Sequence, residues 1–307
     1  MHSSAHYRQL LTRLPQIAVA ADQFQILSSA KDFKSRILSL IAHATQRIYL
    51  IALYLQDDEA GREILSALYA AKQRNPSLDI KVFVDFHRAQ RGLIGKGKQG
   101  GNHLMYQAMA ASHQHQIEIY GVPVKGRELL GVLHLKGFIF DDTLLYSGAS
   151  LNDIYLHQQE RYRFDRYHQI HSPALTRSMV NYVDDVFLGS EAVQRLDRTG
   201  IPGAKQLKGP IRRFKQRLRL CQYRFESIQP NDREIAVTPM VGLGKRGNQL
   251  NRMIRNLVRA TEREIFICTP YFNPPKELNK DVEALLKRGC KVTIVVGDKT
   301  ANDFFIP

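Results

Sequence analysis

His134, Lys136 and Asp141 stand in the spacing H-x-K-x4-D, and Gly148 and Asn152 follow within the same stretch, VLHLKGFIFDDTLLYSGASLN, residues 132–152. An imidazole is a nucleophile and a proton carrier near neutral pH. An ammonium two residues away supplies fixed positive charge for a phosphate. Residues 132–140 are apolar and rich in branched and aromatic side chains, which predicts a buried strand. On a strand, residues two apart project to the same side, so His134 and Lys136 are expected together. Two such groups on a greasy element are costly unless something anionic lies between them. Asp141-Asp142 then predicts a turn, residues 144–146 a second short strand, and residues 147–152 a small, polar segment suited to close approach by a phosphate. The triplet alone is modest evidence, because single His and Lys residues in strand patterns are usually edge positions. The apolar strand and the small polar segment are what give it weight.

The motif resembles that of the phospholipase D superfamily, H-x-K-x4-D-x6-G-S-x-x-N. Ala149 stands where the motif has serine, flanked by Ser147 and Ser150. HLKGFIFDDTLLYSGASLND, VDFHRAQRGLIGKGKQGGN and LSSAKDFKSRILSLIAHATQRIYLIALYLQDDEAG narrow the resemblance to the bacterial phosphatidylserine synthases of that superfamily, along the whole chain. The resemblance implies His134, Lys136, Asp141 and Asn152 as catalytic residues, with Gly148 and Ser150 beside the substrate phosphate. It implies transfer of a phosphatidyl group from CDP-diacylglycerol to L-serine, with release of CMP, through a phosphatidyl-histidine. It implies neither metal nor cofactor, since lysines supply the positive charge. Such enzymes carry one motif in each of two halves. Which of the two histidines is the nucleophile stays open, as does the choice between serine, glycerol hydroxyl and water as acceptor. Cleavage of DNA by the same motif is a further alternative.

The elements that must position these residues repeat. Residues 29–45 read as a helix, 48–55 as a strand, 59–73 as a helix and 80–85 as a strand, an α/β series. Residues 248–261, 264–269, 276–288 and 291–297 repeat it, and HATQRIYLIALYL aligns with RATEREIFICTPYF. The expected fold is α/β, a phospholipase D-like mixed sheet flanked by helices, with one complete half and the beginning of a second. The expected divisions are 1–190 for the half with the motif, 191–235 for a connecting region, and 236–307 for a partial second half. His134 lies 90 residues after Ala44, so the repeat places a second motif near residue 350, beyond Pro307. The chain therefore reads as a C-terminally truncated member. Pairing of single motifs across a homo-oligomer is the alternative route to activity.

Residues 205–225, KQLKGPIRRFKQRLRLCQYRF, combine an apolar helical stripe with Arg212, Arg213, Lys215, Arg217 and Arg219 and contain no acid. The stripe can pack on the domain while the flanks meet an anionic membrane. Gly92, Gly97 and Lys98 nearly imitate a nucleotide-binding loop, but Gln99 stands where Ser or Thr would hold magnesium. Lys96 and Lys98 are instead candidate contacts for the substrate phosphates. Asp165 is a candidate carboxylate for orienting the catalytic histidine, or an ordinary partner of Arg163 or Arg166.

The net charge of +15 favours an anionic partner, a membrane surface or phosphorylated substrates, over a neutral one. No specific nucleic acid is expected. Residues 48–55 form the longest apolar run, the length of a strand and too short to span a bilayer. With no visible signal segment, and three scattered cysteines that suggest neither disulfides nor zinc, the expectation is a cytoplasmic protein at the inner face of the membrane.

Overall fold

Ser29 accepts a hydrogen bond from the Asp32 backbone N–H and so caps the first long helix, whose Phe33, Ile37 and Ile41 fall on one buried face. The strand after it, 47–51, is buried on both sides, as expected for a strand covered by helices on each face. The computed structural model describes residues 3–91, 100–124, 133–160, 162–203, 205–242, 248–270 and 272–298.

In chain order the elements begin with α1 (Ser4–Thr12), β1 (Ile17–Ala20), β2 (Phe24–Leu27), α2 (Ala30–His43), β3 (Arg47–Ile51), α3 (Glu59–Arg74) and β4 (Asp79–Asp85). Next come α4 (Phe86–Ala89), α5 (His103–Ser112), β5 (Glu118–Val122), β6 (Gly137–Phe140), β7 (Thr143–Tyr146), β8 (Tyr167–His171) and α6 (Pro173–Val183). The last are β9 (Gln194–Arg195), α7 (Lys208–Leu220), β10 (Glu234–Val237), α8 (Gln249–Ala260), β11 (Glu264–Thr269), α9 (Lys276–Lys287) and β12 (Lys291–Val296).

Two units divide the chain. The larger, Gln16–Pro239, is built on an eight-stranded mixed sheet of order β2-β8-β7-β6-β3-β4-β5-β9. Strands β3, β4 and β5 run parallel, while β6 pairs antiparallel with β3 and leads into the antiparallel run β7, β8, β2. One face is covered by α2, α3 and α5, with Phe33, Ile37, Leu65, Leu68 and Tyr106 packed against Leu50, Val82, Phe138 and Leu145. On the other face an aromatic chain runs from Tyr49 through Phe83 and Phe187 to Phe214 of α7. Each fully buried ring or branched side chain of this kind contributes about 1.5–3 kcal/mol. A small sheet of β1 and β10 completes the unit.

The smaller unit takes the described residues among 1–15 and 240–307. Its β11 and β12 pair in parallel, with α8 before β11 and α9 between the strands, around Val258, Val282, Leu285 and Cys290. The order and pairing match α2-β3-α3-β4 in the larger unit. Even the entry bond recurs: Asp79 N–H donates to the Gln46 carbonyl at 3.0 Å, and Lys291 N–H to the Arg263 carbonyl at 2.8 Å.

Two predicted elements are shorter than their sequence patterns. The motif strand begins at Gly137, not at residue 132, so His134 and Lys136 sit on the irregular segment leading into it. Register explains this: Gly137 pairs with Ile51, the last residue of β3, and there is no ladder for residues 133–136 to join. Gly137 also has φ +142°, and a Cβ there would lie 2.6 Å from the Met179 side chain. The basic helix spans Lys208–Leu220, with Pro210 inside its first turn, where a missing N–H costs nothing. Among the described residues no helix is long and apolar enough to cross a membrane.

Candidate active site

Residues 133–136 and 147–152 come together at one end of β6 and β7. Leu151 N–H donates to the Tyr54 carbonyl (3.2 Å) and Gln56 N–H to the Leu151 carbonyl (2.9 Å), extending β3 along the small polar segment. Beyond it, two carboxylates lock the segment to α3. Asp58 caps α3 through Gly61 N–H (2.9 Å) and accepts Asp153 N–H (3.0 Å), while Asp153 accepts Ala60 N–H (2.8 Å). Burial, then the charge of Asp153, push the Asp58 carboxyl up to about 6 against the opposing backbone hydrogen bonds.

Lys136 points into this segment. Its Nζ donates to Ser150 Oγ at 2.8 Å and to the Ala149 carbonyl at 3.3 Å. Desolvation draws its ammonium down to about 8, with Asp165 opposing. His134 is exposed at the mouth, and desolvation by its surroundings, then the Lys136 charge, hold its imidazole below the usual range, with Asp85 opposing. At neutral pH the ring is therefore uncharged, the form in which a nitrogen lone pair can attack phosphorus. Ser150 and Asn152 are buried, and Asn152 Oδ1 accepts Tyr155 N–H at 3.1 Å, so its side chain is fixed by the turn it caps. A Cβ on Gly148 would lie 2.7 Å from Asp165 Oδ2, which explains why glycine stands there.

The structure thus gathers His134, Lys136, Gly148, Ser150, Asn152 and Asp165. Asp165 does so in a different role from the one expected. Its carboxylate lies against Gly148, accepts Arg166 N–H at 2.7 Å and acts through its charge on Lys136. The carboxylate whose charge acts on His134 is Asp85.

Asp141 is a correction. Its carboxylate accepts Thr45 N–H (2.9 Å), Thr45 Oγ1–H (3.1 Å), Gln46 N–H (2.8 Å) and Arg47 N–H (2.9 Å). It follows β6, whereas His134 precedes it, and a four-residue strand separates the two by more than about 13 Å. Asp141, at φ +49° in the β6–β7 turn, fastens that turn to the start of β3 and does not reach the imidazole. Lys96 and Lys98 lie outside the described residues.

Asp85 and the Asp58–Asp153 pair were missed by sequence reasoning. A carboxylate closing an apolar strand before a helix (VDFH) is the signal that points to Asp85; the other pair spans 95 residues and leaves no local trace.

Around the site, residues 162–166 alternate in direction. Arg163 turns to Tyr155, and Asp165 to Gly148, while Tyr162 (46% exposed), Phe164 (71%) and Arg166 face solvent. Elsewhere on the unit, α7 buries Phe214 and Leu218 and leaves Arg212, Arg213, Arg217 and Arg219 exposed, with Lys215 half-buried. Arg213 pairs with Glu191 at 2.6 Å, and Arg217 donates to the Gly189 carbonyl at 3.1 Å. Packing of the stripe and exposure of the basic flanks coexist.

Residues 37–161 match the family model described as "Cardiolipin synthase, PLD-like domain". The chain is 46% identical over 303 residues to the CDP-diacylglycerol–serine O-phosphatidyltransferase of Haemophilus influenzae, covering 97% of this chain and 67% of that protein. It is also 46% identical over 302 residues to the corresponding enzyme of Escherichia coli, covering 98% and 66%. The crystal structure of phosphatidylserine synthase from H. influenzae superposes with a TM-score of 0.89 at 42% identity, covering 100% of this chain and 68% of that one. A probable CDP-diacylglycerol–glycerol-3-phosphate 3-phosphatidyltransferase of Dictyostelium discoideum is 28% identical over 167 residues, covering 50% and 28%. The chain spans about two thirds of the length of the serine transferases it matches.

Proposed function

The chain belongs to the family of CDP-diacylglycerol–serine O-phosphatidyltransferases, and from that membership and the site geometry we propose that it transfers the phosphatidyl group of CDP-diacylglycerol to L-serine, releasing CMP. The observation that carries the mechanism is the placement of His134 two residues before Lys136, whose ammonium is held by Ser150 and the Ala149 carbonyl.

His134 attacks the diacylglycerol-bearing phosphorus, the P–O bond to CMP breaks, and a phosphatidyl-histidine remains. The serine hydroxyl then attacks that phosphorus and frees the imidazole. Lys136 and Asn152 donate to the phosphoryl oxygens as charge builds on them. Asp165 keeps Lys136 charged against the pull of desolvation. The proton for departing CMP, and its removal from serine, call for a second motif histidine, which a second copy of this chain supplies if single motifs pair across a homo-oligomer.

The lipid substrate fits what surrounds the site. The chain carries +15, α7 exposes Arg212 and Arg219 elsewhere on the unit, and Phe164 presents its ring to solvent on the segment that holds Asp165. Exposed aromatic and basic residues favour the boundary between head groups and acyl chains. Peripheral association with an anionic membrane follows. The names of the relatives also favour the donor: serine and glycerol-3-phosphate transferases alike are named for CDP-diacylglycerol.

Labelled serine, offered with CDP-diacylglycerol in mixed micelles, tests the reading. Serine should enter lipid in preference to glycerol-3-phosphate or water, and His134→Ala should abolish the transfer while thermal unfolding stays unchanged. Retained incorporation in the variant, or preference for another acceptor, overturns it.

A further inference from the structure

Asp85 closes β4 and has no exposed surface. A buried carboxylate is tolerated only when hydrogen-bonded, and among the described residues its bonds come from backbone. Oδ1 accepts His87 N–H at 3.0 Å and Arg88 N–H at 2.8 Å, and Oδ2 accepts Leu133 N–H at 3.0 Å. The first two start α4. The third reaches across 48 residues to the amino acid immediately before His134.

The anchor is stiff, because β4 is paired on both sides, with β3 and β5, and Asp85 itself pairs with Val122. What it holds has no strand ladder to support it. Residues 133–136 lie outside the ladder of β6, and Leu133 is itself buried. Of the charged groups acting on the imidazole, Lys136 is the cation and Asp85 the anion; Asp165 acts on Lys136.

We infer that Asp85 is the positioning residue of His134: it fixes the histidine through the Leu133 amide and offsets the positive charge that the ring gains on bonding to phosphorus. The inference rests on the proposed role of His134 as nucleophile. Geometry explains why an acid and not a neutral cap stands at this place. Serine could cap α4, but only a side chain with two acceptors also reaches the Leu133 amide.

Two variants separate the parts. Asp85→Asn keeps the shape and loses the charge together with one of the two acceptors; Asp85→Ser keeps a cap and loses both charge and tether. The midpoint of His134 is read by NMR titration of the histidine-labelled full chain, the resonance being assigned by its loss in His134→Gln. Both variants should move the midpoint to lower pH, and Lys136→Met should move it to higher pH. Serine incorporation should fall about 10- to 100-fold in kcat, the scale of a misplaced catalytic group, with KM for CDP-diacylglycerol within about threefold. Should Asp85→Asn fail to fold, Asp85→Ser carries the test. A folded variant with an unmoved midpoint and unchanged kcat overturns the inference. If the midpoint moves but the parent chain transfers phosphatidyl groups to glycerol-3-phosphate or water in preference to serine, the positioning stands and the substrate reading falls.

Discussion

Replacing Asp141 should damage stability and spare chemistry, although its place in the motif suggests the reverse. Four donors converge on its carboxylate, three of them backbone N–H groups at the entry to β3. Hydrogen bonds to a charged acceptor contribute about 1.5–3 kcal/mol each when fully desolvated, and this carboxylate is only partly covered. Asp141→Ala should therefore cost about 3 kcal/mol in total and Asp141→Asn about half that, the range of a lost cap with additional donors. For a unit of this size, 1 kcal/mol corresponds to about 2–4 °C, so Asp141→Ala should lower Tm by about 6–12 °C. Desolvation pushes this carboxyl up, but the N–H groups of Arg47, Thr45 and Gln46 outweigh it and hold it below its ordinary value. Its stabilisation is thus fully present above the unfolded pKa, near 4, and is lost as pH falls through the lower folded value. The gap in Tm between the parent and Asp141→Asn should close in acid. Circular dichroism at pH 7 and pH 3 reads the gap, and serine incorporation at a temperature where both proteins are folded reads the chemistry. An Asp141→Asn protein with unchanged Tm and abolished turnover would refute a purely structural role.

Lys136, drawn down to about 8, should impose an alkaline limb: transfer falls as pH rises through that value, and Lys136→Arg pushes the fall to higher pH even if its rate is lower. The same depressed ammonium makes stability rise between about pH 8 and the unfolded value near 10.4, since the unfolded chain there binds more protons. Asp58, raised to about 6, works in the opposite sense: stability should decline as pH rises from about 4 to 6, and Asp153→Asn should flatten that decline in a pH series of thermal melts. The chain has no tryptophan, so Phe164→Trp is a single fluorescent reporter. Its emission should shift to the blue on vesicles containing anionic lipid and stay unshifted on neutral ones; an unshifted spectrum on both would remove Phe164 from the membrane-facing surface.

Much of the fold was legible because its signals are local. The helices read over residues 29–45 and 59–73 form as α2 and α3, and Phe33, Ile37 and Ile41 of α2 fall on its buried face. The parallel pairing of β11 with β12, like that of β3 with β4, follows from the repeat. His134 and Lys136 were legible as a pair, since their spacing alone placed them together. The strand supposed to carry them was not, because its end is set by the register with Ile51, a partner 86 residues away. Asp141 was misread for the same reason: its role is fixed by Thr45 to Arg47, and a motif describes only near neighbours. Asp165 and Asp85 were harder still. A carboxylate says nothing in sequence about which of two cations it faces, and the choice between His134 and Lys136 is made by the packing of β8 and β4.

The bond from Asp141 to the start of β3 spans 94 to 96 residues, and the motif strand β6 sits between partners synthesised at opposite ends of that interval. On a ribosome adding about 5–20 residues per second, roughly 5–20 s separate the emergence of Arg47 from that of Asp141. Throughout that time the flank of β3 that β6 will occupy is an unpaired edge, beside the parallel pair it forms with β4. Such an edge invites pairing with other chains. The catalytic segment therefore leads directly into the strand that covers this edge, and a nascent chain places His134 and Lys136 and protects β3 in the same step.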